Sequence, residues 1–557
     1  MKASTRFLTL PLISAVCLNV AAQTDHRPQS WEDTLSKVEQ VFSHYKPNNP
    51  GCQFAISRNG RTIFSKAWGM ADLEHDAPLT TQSLLEIGSV SKQFTAACIL
   101  LLEQQGKLSL DDDVRKYIHE LPDYGSPITL RCMIHHLSGL KDWGNIAGLA
   151  GQRIGTRVYD NEDVLDIICR QRTLDNNPGN EFLYSDSNYN LLAIVVKRVS
   201  GMDLPQFSRK YIFGPAGMTH TRWRDNFREV VAGRAIAYYY DNNQYFADMP
   251  FENAYGSGGI LTTAEDLNAW NNFYWGGKLG NPSLLAKQLE PGRLNNGDTI
   301  TYAAGFDHIL YRGWERAGMG GNTAGYGCGL IYFPGSGLSF AFITNTSQNM
   351  GNVTDEVVDL FIKDKPGSMQ VGTPNNRPVA IPVSKAVLNR YTGWYKNSRS
   401  GEALKLYLKD DKLAASNAGF GFAPDGPLVP TDNHTFITQQ GDKIVIRPLK
   451  GLIFIQPKRD TVVYTAVDSA SLTPEILHEY VGQYYSDEAQ VKFSIAIKGK
   501  ALVLKETPHG ADTLVATYKD GFNFWRGTVY FERDKRKKIT SLKISIPRAR
   551  NVAFKRL

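Results

Sequence analysis

The 557-residue sequence is poor in cysteine and, beyond its first residues, has no long apolar run. None of its six cysteines form a Cys-x-x-Cys pair, which removes the usual signature of a structural zinc site or a dithiol redox centre. No stretch reaches the roughly 20 apolar residues that a membrane-spanning helix needs. With 42% apolar and 21% charged residues, the composition favours packed domains over disorder. At about 100 to 200 residues per domain, the length predicts two to four domains.

The first residues of the chain have the pattern of a signal peptide. Lys2 and Arg6 precede an apolar run over residues 7–18, and the small residues at 20–22 resemble a cleavage site. We therefore expect residues 1–22 to be a signal peptide and the remaining protein to be periplasmic or secreted. Five cysteines then remain, and we expect small buried thiols rather than a zinc site. An exported chain also allows one disulfide, and the spacing does not decide between the two arrangements.

Most of the net charge of +7 comes from the last part of the chain. Between residues 526 and 557, eleven lysine and arginine side chains stand against two acidic ones. The basic run 535–538 separates two alternating apolar segments, which predicts a solvated hairpin turn with edge-protecting lysines. The alternative is contact between this turn and an anionic polymer of the cell envelope. A nucleic-acid partner is not expected for an exported chain.

A proline-rich stretch divides the sequence into two regions of different character. Beyond it, the pattern Leu-x-x-Tyr-x-Gly-x-Tyr begins at Leu388 and again at Leu477, an offset of 89 residues. Short alternating runs separated by Asp, Gly or Lys turns follow in both copies, which predicts two small all-β, lipocalin-like barrels. The predicted divisions are a signal peptide at 1–22, a first domain at 23–365, a linker at 366–382, and barrels at 383–468 and 469–557.

The first domain combines strand signals at both ends with helical signals between them. Asn59-Gly60 and Pro334-Gly335 each lie between two β-rich segments, so both pairs predict a hairpin. Helical patterns dominate from about residue 91 to residue 275. This order predicts an α+β fold in which a sheet from both ends packs against an inserted helical region, with a cleft between them.

The segment around Ser89 is the strongest candidate for catalytic chemistry. Apolar residues share one helical face from residue 94 to residue 102, which places Ser89 at a helix N-terminus and Lys92 one turn further along. An amine at that distance can take the hydroxyl proton, while free N–H groups and the helix dipole favour a developing anion. The alternative is that Ser89 only caps the helix and Lys92 is a solvated charge.

Three short stretches of the first domain form a recognisable combination: Gly88-Ser-Val-Ser-Lys92, His-His-Leu-Ser-Gly-Leu at 135–140, and residues 256–267. Together they resemble the class C-like branch of the serine β-lactamase and penicillin-binding-protein superfamily, which includes esterases, DD-peptidases and D-aminopeptidases. The resemblance covers about residues 35 to 365. It implies a β-lactamase-like catalytic domain that works through an acyl-serine intermediate, without a metal or an organic cofactor. His135 and His136 are expected to pack rather than to bind metal, because neighbours on a helix point in different directions.

The same resemblance assigns the family's second motif, Tyr-x-Asn, to Tyr184-Ser185-Asp186. In the family such a tyrosine shuttles protons with the lysine, so Tyr184 is expected to face Ser89 and Lys92. A cation beside the phenol lowers its pKa. The alternative for Tyr184 is a core tyrosine with a satisfied hydroxyl group. Asp186 replaces the usual asparagine, which exchanges a hydrogen-bond donor for an acceptor-only carboxylate and weakens recognition of a substrate amide.

The third motif of the family places Met319 where a basic residue is usual. A thioether carries no charge, so capture of a substrate carboxylate is weakened. Gly320 and Gly321 still allow the backbone to approach a ligand closely. The resemblance implies an oxyanion hole formed by the backbone N–H groups of Ser89 and Asn322. The predicted substrate-binding residues are Asp186, Met319, Gly320 and Gly321.

These residues together predict an exported acyl-serine hydrolase whose catalytic residues are Ser89, Lys92 and Tyr184. The predicted substrates are small esters, amides or D-amino-acid peptides, and penicillins are expected to be poor substrates because Met319 is neutral. The domain layout resembles that of bacterial D-aminopeptidases, which implies that a barrel leans over the cleft and limits substrate size. The alternative is a catalytically impaired penicillin-binding-like protein that binds peptidoglycan fragments or a partner. The sequence does not indicate an oligomeric state.

Overall fold

The computed structural model describes most of the chain from residue 31 onward. The expected signal peptide and most of the expected linker lie outside the described residues. No helix in the described part of the chain is long and apolar enough to cross a membrane. The described ranges are 31–151, 157–346, 353–366, 380–417, 426–438, 442–447, 451–455, 461–506 and 510–557.

The first unit is built on a sheet whose strands come from both ends of the domain. The strands of the whole unit are β1 (Cys52–Arg58), β2 (Arg61–Trp68), β3 (Met70–Asp72), β4 (Ala77–Pro78), β5 (Leu85–Glu86), β6 (Arg222–Trp223), β7 (Tyr238–Asp241), β8 (Gln244–Ala247), β9 (Ile260–Thr262), β10 (Asp307–Tyr311), β11 (Trp314–Thr323), β12 (Tyr326–Phe333) and β13 (Leu338–Thr344). The main sheet is antiparallel and has the order β10-β11-β12-β13-β1-β2. The two hairpins predicted from the sequence, β1-β2 and β12-β13, are therefore confirmed.

Helices of the first unit pack on this sheet and enclose α2, which carries Lys92. They are α1 (Trp31–Val41), α2 (Lys92–Gln104), α3 (Leu130–Ile134), α4 (Trp143–Leu149), α5 (Asn161–Cys169), α6 (Asp186–Ser200), α7 (Leu204–Ser208), α8 (Gly214–Ala216), α9 (Ala264–Trp275), α10 (Pro282–Gln288) and α11 (Val353–Phe361). Every residue of α2 from Lys92 to Leu102 is buried. The predicted α+β class is confirmed, and α2 is a central helix of the core rather than a surface helix with one apolar face.

The two repeated segments fold into all-β units that each begin with a short helix. The first all-β copy contains α12 (Lys385–Asn389), β14 (Gly393–Asn397), β15 (Ala403–Lys409), β16 (Lys412–Asn417), β17 (Gly426–Pro427), β18 (Val429–Pro430), β19 (Thr435–Ile437), β20 (Lys443–Arg447), β21 (Gly451–Ile455) and β22 (Thr461–Val467). The second contains α13 (Pro474–Tyr480), β23 (Gly482–Ser486), β24 (Val491–Lys498), β25 (Ala501–Glu506), β26 (Ala511–Ala516), β27 (Gly521–Phe524), β28 (Gly527–Arg533), β29 (Ile539–Ile546) and β30 (Ala549–Arg556).

The second copy is a closed barrel of strands β23 to β30, as predicted. The described strands of the first copy form one nine-stranded sheet whose edges, β17 and β18, are separated in the chain by a single residue, so the sheet curls back on itself. The repeated motif makes the same contact in both copies. Tyr395 Oη donates to the Tyr391 carbonyl oxygen at 2.8 Å, and Tyr484 Oη donates to the Tyr480 carbonyl oxygen at 2.9 Å.

The basic run near the C-terminus is an exposed turn between β28 and β29, as its sequence predicts. The Asp534 carboxylate accepts hydrogen bonds from the backbone N–H groups of Arg536 at 2.8 Å and Lys538 at 2.9 Å. These bonds fix the turn without using the basic side chains. Contact with an anionic envelope polymer stays a prediction.

Candidate active site

Ser89 lies on a short 3-10 helix, Gly88–Ser91, that leads directly into α2. Gly88 has a φ of +47°, and a Cβ atom there would lie 2.7 Å from the Asn322 carbonyl oxygen and 2.8 Å from the Asn322 nitrogen. Only glycine therefore allows Ser89 to stand this close to β11. Ser89 forms no helix cap, and its Oγ instead accepts a hydrogen bond from Lys92 Nζ at 3.1 Å. The simple helix-cap alternative is wrong.

The side chain of Lys92 is completely buried, so the alternative of a solvated surface charge is also wrong. Besides Ser89 Oγ, Lys92 Nζ donates to Asp186 Oδ1 at 2.6 Å and to the Ser257 carbonyl oxygen at 2.7 Å. An ammonium group has three N–H donors, and each of them has an acceptor here. Burial is the largest single effect and acts to lower the pKa of Lys92, but the charge and hydrogen bond of Asp186, together with Tyr184, outweigh it and the pKa is raised. Lys92 is therefore a bound ammonium group at neutral pH.

Tyr184 reaches the same point from the loop before α6. Lys92 Nζ lies 4.9 Å from the centroid of its ring. The Tyr184 hydroxyl is buried and makes no hydrogen bond to a described residue, so it is not the satisfied core tyrosine of the alternative interpretation. Burial raises the pKa of Tyr184, and the charge of Lys92 only partly opposes this. The effect expected from a neighbouring cation is present, but burial is stronger and the phenol is protonated at neutral pH.

His135 and His136 pack in the interior of the catalytic-domain fold. His136 stacks on Tyr184 with ring centroids 4.1 Å apart, and its Nδ1 accepts the backbone N–H of Ser185 at 3.1 Å. Burial lowers the pKa of His136 well below its usual value, so the ring is neutral. Both ring nitrogens of His135 contact backbone carbonyl groups, which confirms the packing role expected for both residues. Within the described residues, the five cysteines are free thiols.

Strand β11 brings the third motif against Ser89, the candidate nucleophile. A Cβ atom on Gly321 would lie 2.1 Å from the Ile87 carbonyl oxygen and 2.9 Å from the Ser89 nitrogen. Glycine is therefore required where β11 passes Ser89. The next residue, Asn322, lines the pocket that contains Ser89, which is where an oxyanion donor would have to stand.

The other residues of the third motif face a neighbouring space. Met319, Gly320 and Gly321 line a separate cavity of about 330 Å³. Met319 also packs beside Tyr184 and Tyr302. Among the four predicted substrate-binding residues, only Asp186 lines the pocket above Ser89. A substrate-binding role for Met319 and the two glycines stays a prediction.

The pocket above Ser89 has a volume of about 740 Å³ and is enclosed partly by the second barrel. Two turns of the barrel line it, one at Trp525-Arg526 and one at residues 546–548. Arg526 anchors the first turn by donating to the Gly148 carbonyl oxygen at 2.9 Å. The second barrel therefore covers this pocket, as the domain layout implied.

The turn at residues 546–548 places Arg548 among the catalytic candidates. Its guanidinium carbon lies 4.7 Å from the ring centroid of Tyr184, and its Nη1 lies 3.7 Å from Asp186 Oδ2. The Arg548 carbonyl oxygen also accepts the backbone N–H of Asp142 at 2.8 Å, and Asp142 Oδ2 accepts the backbone N–H of Asp186 at 2.8 Å. The barrel thus contacts the side chains of Tyr184 and Asp186 and also the backbone next to them.

Comparison with known proteins agrees with this geometry. The family model "Beta-lactamase" matches residues 35–361, which is more than half of the chain. The chain belongs to the beta-lactamase family. A D-aminopeptidase from Brucella anthropi is 23% identical over 552 residues, covering 93% of this chain and 98% of the relative. Penicillin-binding protein 4* of Bacillus subtilis (strain 168) is 26% identical over 382 residues, covering 65% of this chain and 83% of the relative.

A solved structure shares the fold of this beta-lactamase family member. The octameric penicillin-binding protein homologue from Pyrococcus abyssi superposes with a TM-score of 0.53 at 20% identity, covering 78% of this chain and all of the other. The D-aminopeptidase match extends across both all-β units as well as the catalytic domain.

Besides Asp142, sequence reasoning missed two further carboxylates in the pocket, Asp248 and Glu252. Glu252 Oε1 lies 3.5 Å from Arg224 Nη2, while its Oε2 is buried and makes no hydrogen bond to a described residue. Burial raises the pKa of Glu252 to about 7, although Arg224 opposes the shift. Burial also raises the pKa of Asp248. Neither residue belongs to a recognisable motif, so only the three-dimensional fold brings them to Ser89.

Proposed function

We propose that the protein is an acyl-serine hydrolase that cleaves small amides or peptides whose acyl part carries a free amino group. The observation that supports this most strongly is the 3.1 Å contact between Ser89 Oγ and the buried Lys92 Nζ, with Tyr184 over the same ammonium group. A nucleophile in contact with a buried amine is the arrangement that serine activation requires. The full-length similarity to a D-aminopeptidase supports the same activity.

In the proposed reaction, Ser89 Oγ attacks the substrate carbonyl while its proton passes to the deprotonated amine of Lys92. The backbone N–H groups of Ser89 and Asn322 stabilise the oxyanion. The C–N bond then breaks, and the leaving nitrogen takes a proton from the Lys92 ammonium or the Tyr184 hydroxyl. Water hydrolyses the acyl-enzyme by the same proton transfers in reverse. These steps use side chains, backbone and water.

The charge of the pocket supports a substrate that carries an ammonium group. Four carboxylates line it against two arginines, namely Asp142, Asp186, Asp248 and Glu252 against Arg526 and Arg548. Asp248 and Glu252 are the groups that would receive the ammonium, since one oxygen of Glu252 has no partner among the described residues. The neutral Met319 offers nothing to a substrate carboxylate, which argues against penicillins. The turns of the second barrel restrict the pocket to small substrates.

The alternative is a catalytically impaired penicillin-binding-like protein that holds a peptidoglycan fragment or a partner. One observation favours it: all three donors of the Lys92 ammonium are occupied, so the resting lysine is not a base. We also propose that the mature protein is exported, to the periplasm or beyond, because the sequence begins with a signal-peptide pattern.

A labelling experiment tests the proposal. Intact-mass analysis after treatment with a fluorophosphonate is expected to show one adduct on the wild-type protein and none on Ser89→Ala. Turnover of D-alanine p-nitroanilide is expected to fall about a thousandfold or more in Ser89→Ala. N-acetyl-D-alanine p-nitroanilide and a chromogenic cephalosporin are expected to be poor substrates. A protein that forms no adduct and hydrolyses none of these compounds between pH 6 and pH 11 would support the alternative.

A further inference from the structure

We infer that Asp186 holds Lys92 in its protonated form and thereby sets the pH above which Ser89 can be activated. This inference rests on the proposed function for its catalytic consequence, but its physical core is the ion pair itself. Asp186 acts through Lys92 and is therefore a positioning residue.

The geometry of Lys92 Nζ is that of an ammonium group with no spare donor. Its shortest contact is the 2.6 Å bond to Asp186 Oδ1, and the Ser257 carbonyl oxygen at 2.7 Å takes a second hydrogen. The third hydrogen points at Ser89 Oγ, at 3.1 Å. For Lys92 to accept the proton of Ser89, this third position must first become a lone pair. Lys92 must therefore lose a proton before the serine can be activated.

Among the described residues, Asp186 is the carboxylate that forms an ion pair with Lys92. The other groups that face the ammonium are the rings of Tyr184 at 4.9 Å and Tyr189 at 5.7 Å, both protonated phenols whose pKa is raised by burial. The buried His136 is neutral because burial lowers its pKa. The negative charge that retains the proton on Lys92 is therefore that of Asp186.

Two further groups contact Asp186 and affect the strength of its ion pair with Lys92. Arg548 Nη1 lies 3.7 Å from Asp186 Oδ2 and competes with Lys92 for the carboxylate charge. Asp142 accepts the backbone N–H of Asp186, and burial raises the pKa of Asp142. Neither contact involves Asp186 Oδ1, which accepts the hydrogen bond from Lys92 Nζ.

The usual asparagine at this position would leave the ammonium in a buried site with neutral acceptors alone. Burial disfavours a charged lysine and lowers its pKa, whereas an opposite charge within about 4 to 6 Å raises it by about one to three pH units. In Asp186→Asn the free amine of Lys92 is therefore present at lower pH. The Oγ proton of Ser89 can then pass to that lone pair without the cost of breaking an ion pair.

The test compares wild-type protein, Asp186→Asn and the matched surface control Asp33→Asn, which changes an exposed aspartate on α1. The pH dependence of kcat/KM and of fluorophosphonate labelling is measured between pH 6 and pH 11. The acid limb of Asp186→Asn is expected to lie at least about one pH unit lower than that of wild type, with about tenfold faster labelling at pH 7. Asp33→Asn is expected to follow wild type.

A second measurement separates failure of this inference from failure of the proposed function. The Cε signal of Lys92 is followed by carbon NMR in lysine-labelled protein and assigned with Lys92→Arg. Its midpoint is expected at least about one pH unit lower in Asp186→Asn than in wild type. An equal midpoint in both proteins overturns the inference, whatever the activity. A shifted midpoint in a protein that never labels supports the ion-pair inference and contradicts the hydrolase proposal.

Discussion

The two all-β units share a fold and a repeated motif, yet they meet the catalytic domain in different ways. Arg399 of the first copy reaches Glu181, three residues before Tyr184, through one contact of 3.1 Å. Arg550 of the second copy binds both carboxylate oxygens of the same Glu181 at 2.8 Å, and Arg548, two residues earlier, lies 4.7 Å from the ring centroid of Tyr184. The shared interior specifies the fold, while arginines in or next to the hairpin turns make the contacts that differ between the two copies.

The largest expected difference between the copies concerns Glu181. Arg550→Ala removes the bidentate, largely buried partner and is expected to lower the free energy of unfolding by about 3 to 5 kcal/mol. Arg399 is 29% exposed and makes a single contact with Glu181, so Arg399→Ala is expected to cost only about 1 kcal/mol. Urea unfolding of both variants measures the two losses. Equal losses would show that the copies hold the Tyr184 loop equally.

Glu252, which lines the pocket, provides a prediction about how stability depends on pH. Burial raises the pKa of Glu252 to about 7, and of the groups around it Arg224 opposes this shift while Glu86 and Asp186 add to it. The folded protein therefore keeps a proton that the unfolded chain releases, and this contribution to stability is lost as the pH rises from about 4.5 through 7. At pH 8, Glu252→Gln is expected to be more stable than wild type by up to about 3 kcal/mol.

Thermal unfolding at pH 4.5 and pH 8 measures this effect of Glu252. The stability difference between wild type and Glu252→Gln should grow with pH, because only the wild type has a carboxyl group that must ionise. Glu356→Gln, at an exposed position on α11, is the control and should show no such trend. A difference that is constant with pH would mean that Glu252 does not titrate in this range.

The repeated tyrosines test whether the two copies are stabilised by the same contact. Tyr395→Phe and Tyr484→Phe each remove one buried hydroxyl that donates to a backbone carbonyl group within the same copy. Each change is expected to cost about 1 kcal/mol of unfolding free energy, because the carbonyl oxygen loses its partner. Chemical denaturation of the two variants tests whether the losses match. Very different losses would show that the motif serves different structural purposes in the two units.

The smallest expected effect is catalytic and concerns the barrel turn alone. Arg548→Ala removes the cation that competes for Asp186, so Asp186 should hold Lys92 more firmly and the acid limb of kcat/KM should move to higher pH. Because Arg548 is 42% exposed, we expect only about a threefold loss at pH 7. Lys535→Ala, on the exposed basic turn of the same barrel, is the control. An unchanged pH profile for Arg548→Ala would mean that this turn covers the pocket without affecting the ion pair between Asp186 and Lys92.

The sequence allowed prediction of features that depend on local spacing. The helical position of Lys92 relative to Ser89, the hairpins of the sheet and the 89-residue repeat all follow from patterns within short segments. These features could be predicted since periodicity and turn residues report on neighbours along the sequence. The position of Tyr184 beside Lys92 was implied instead by the family resemblance, whose second motif matches residues 184–186.

The electrostatic surroundings of the site could not be predicted in this way. The carboxylate of Asp186 was expected to face substrate, but the fold pairs it with a lysine 94 residues away. Arg548 and Glu252 carry no local signal, and they reach the pocket only through the packing of whole domains. The pKa of Tyr184 was expected to be lowered by the cation, whereas burial of its hydroxyl group, which no short motif encodes, has the larger effect.

The turn at residues 546–548 also has a consequence for the order in which the protein matures. It follows every other residue of the pocket in the chain, so a polypeptide emerging from the ribosome or a translocon carries Ser89 and Lys92 long before it carries Arg548. The barrel-lined pocket is complete only after the β29-β30 hairpin has docked. The barrel-lined pocket therefore cannot form before residues 546–548 have been synthesised.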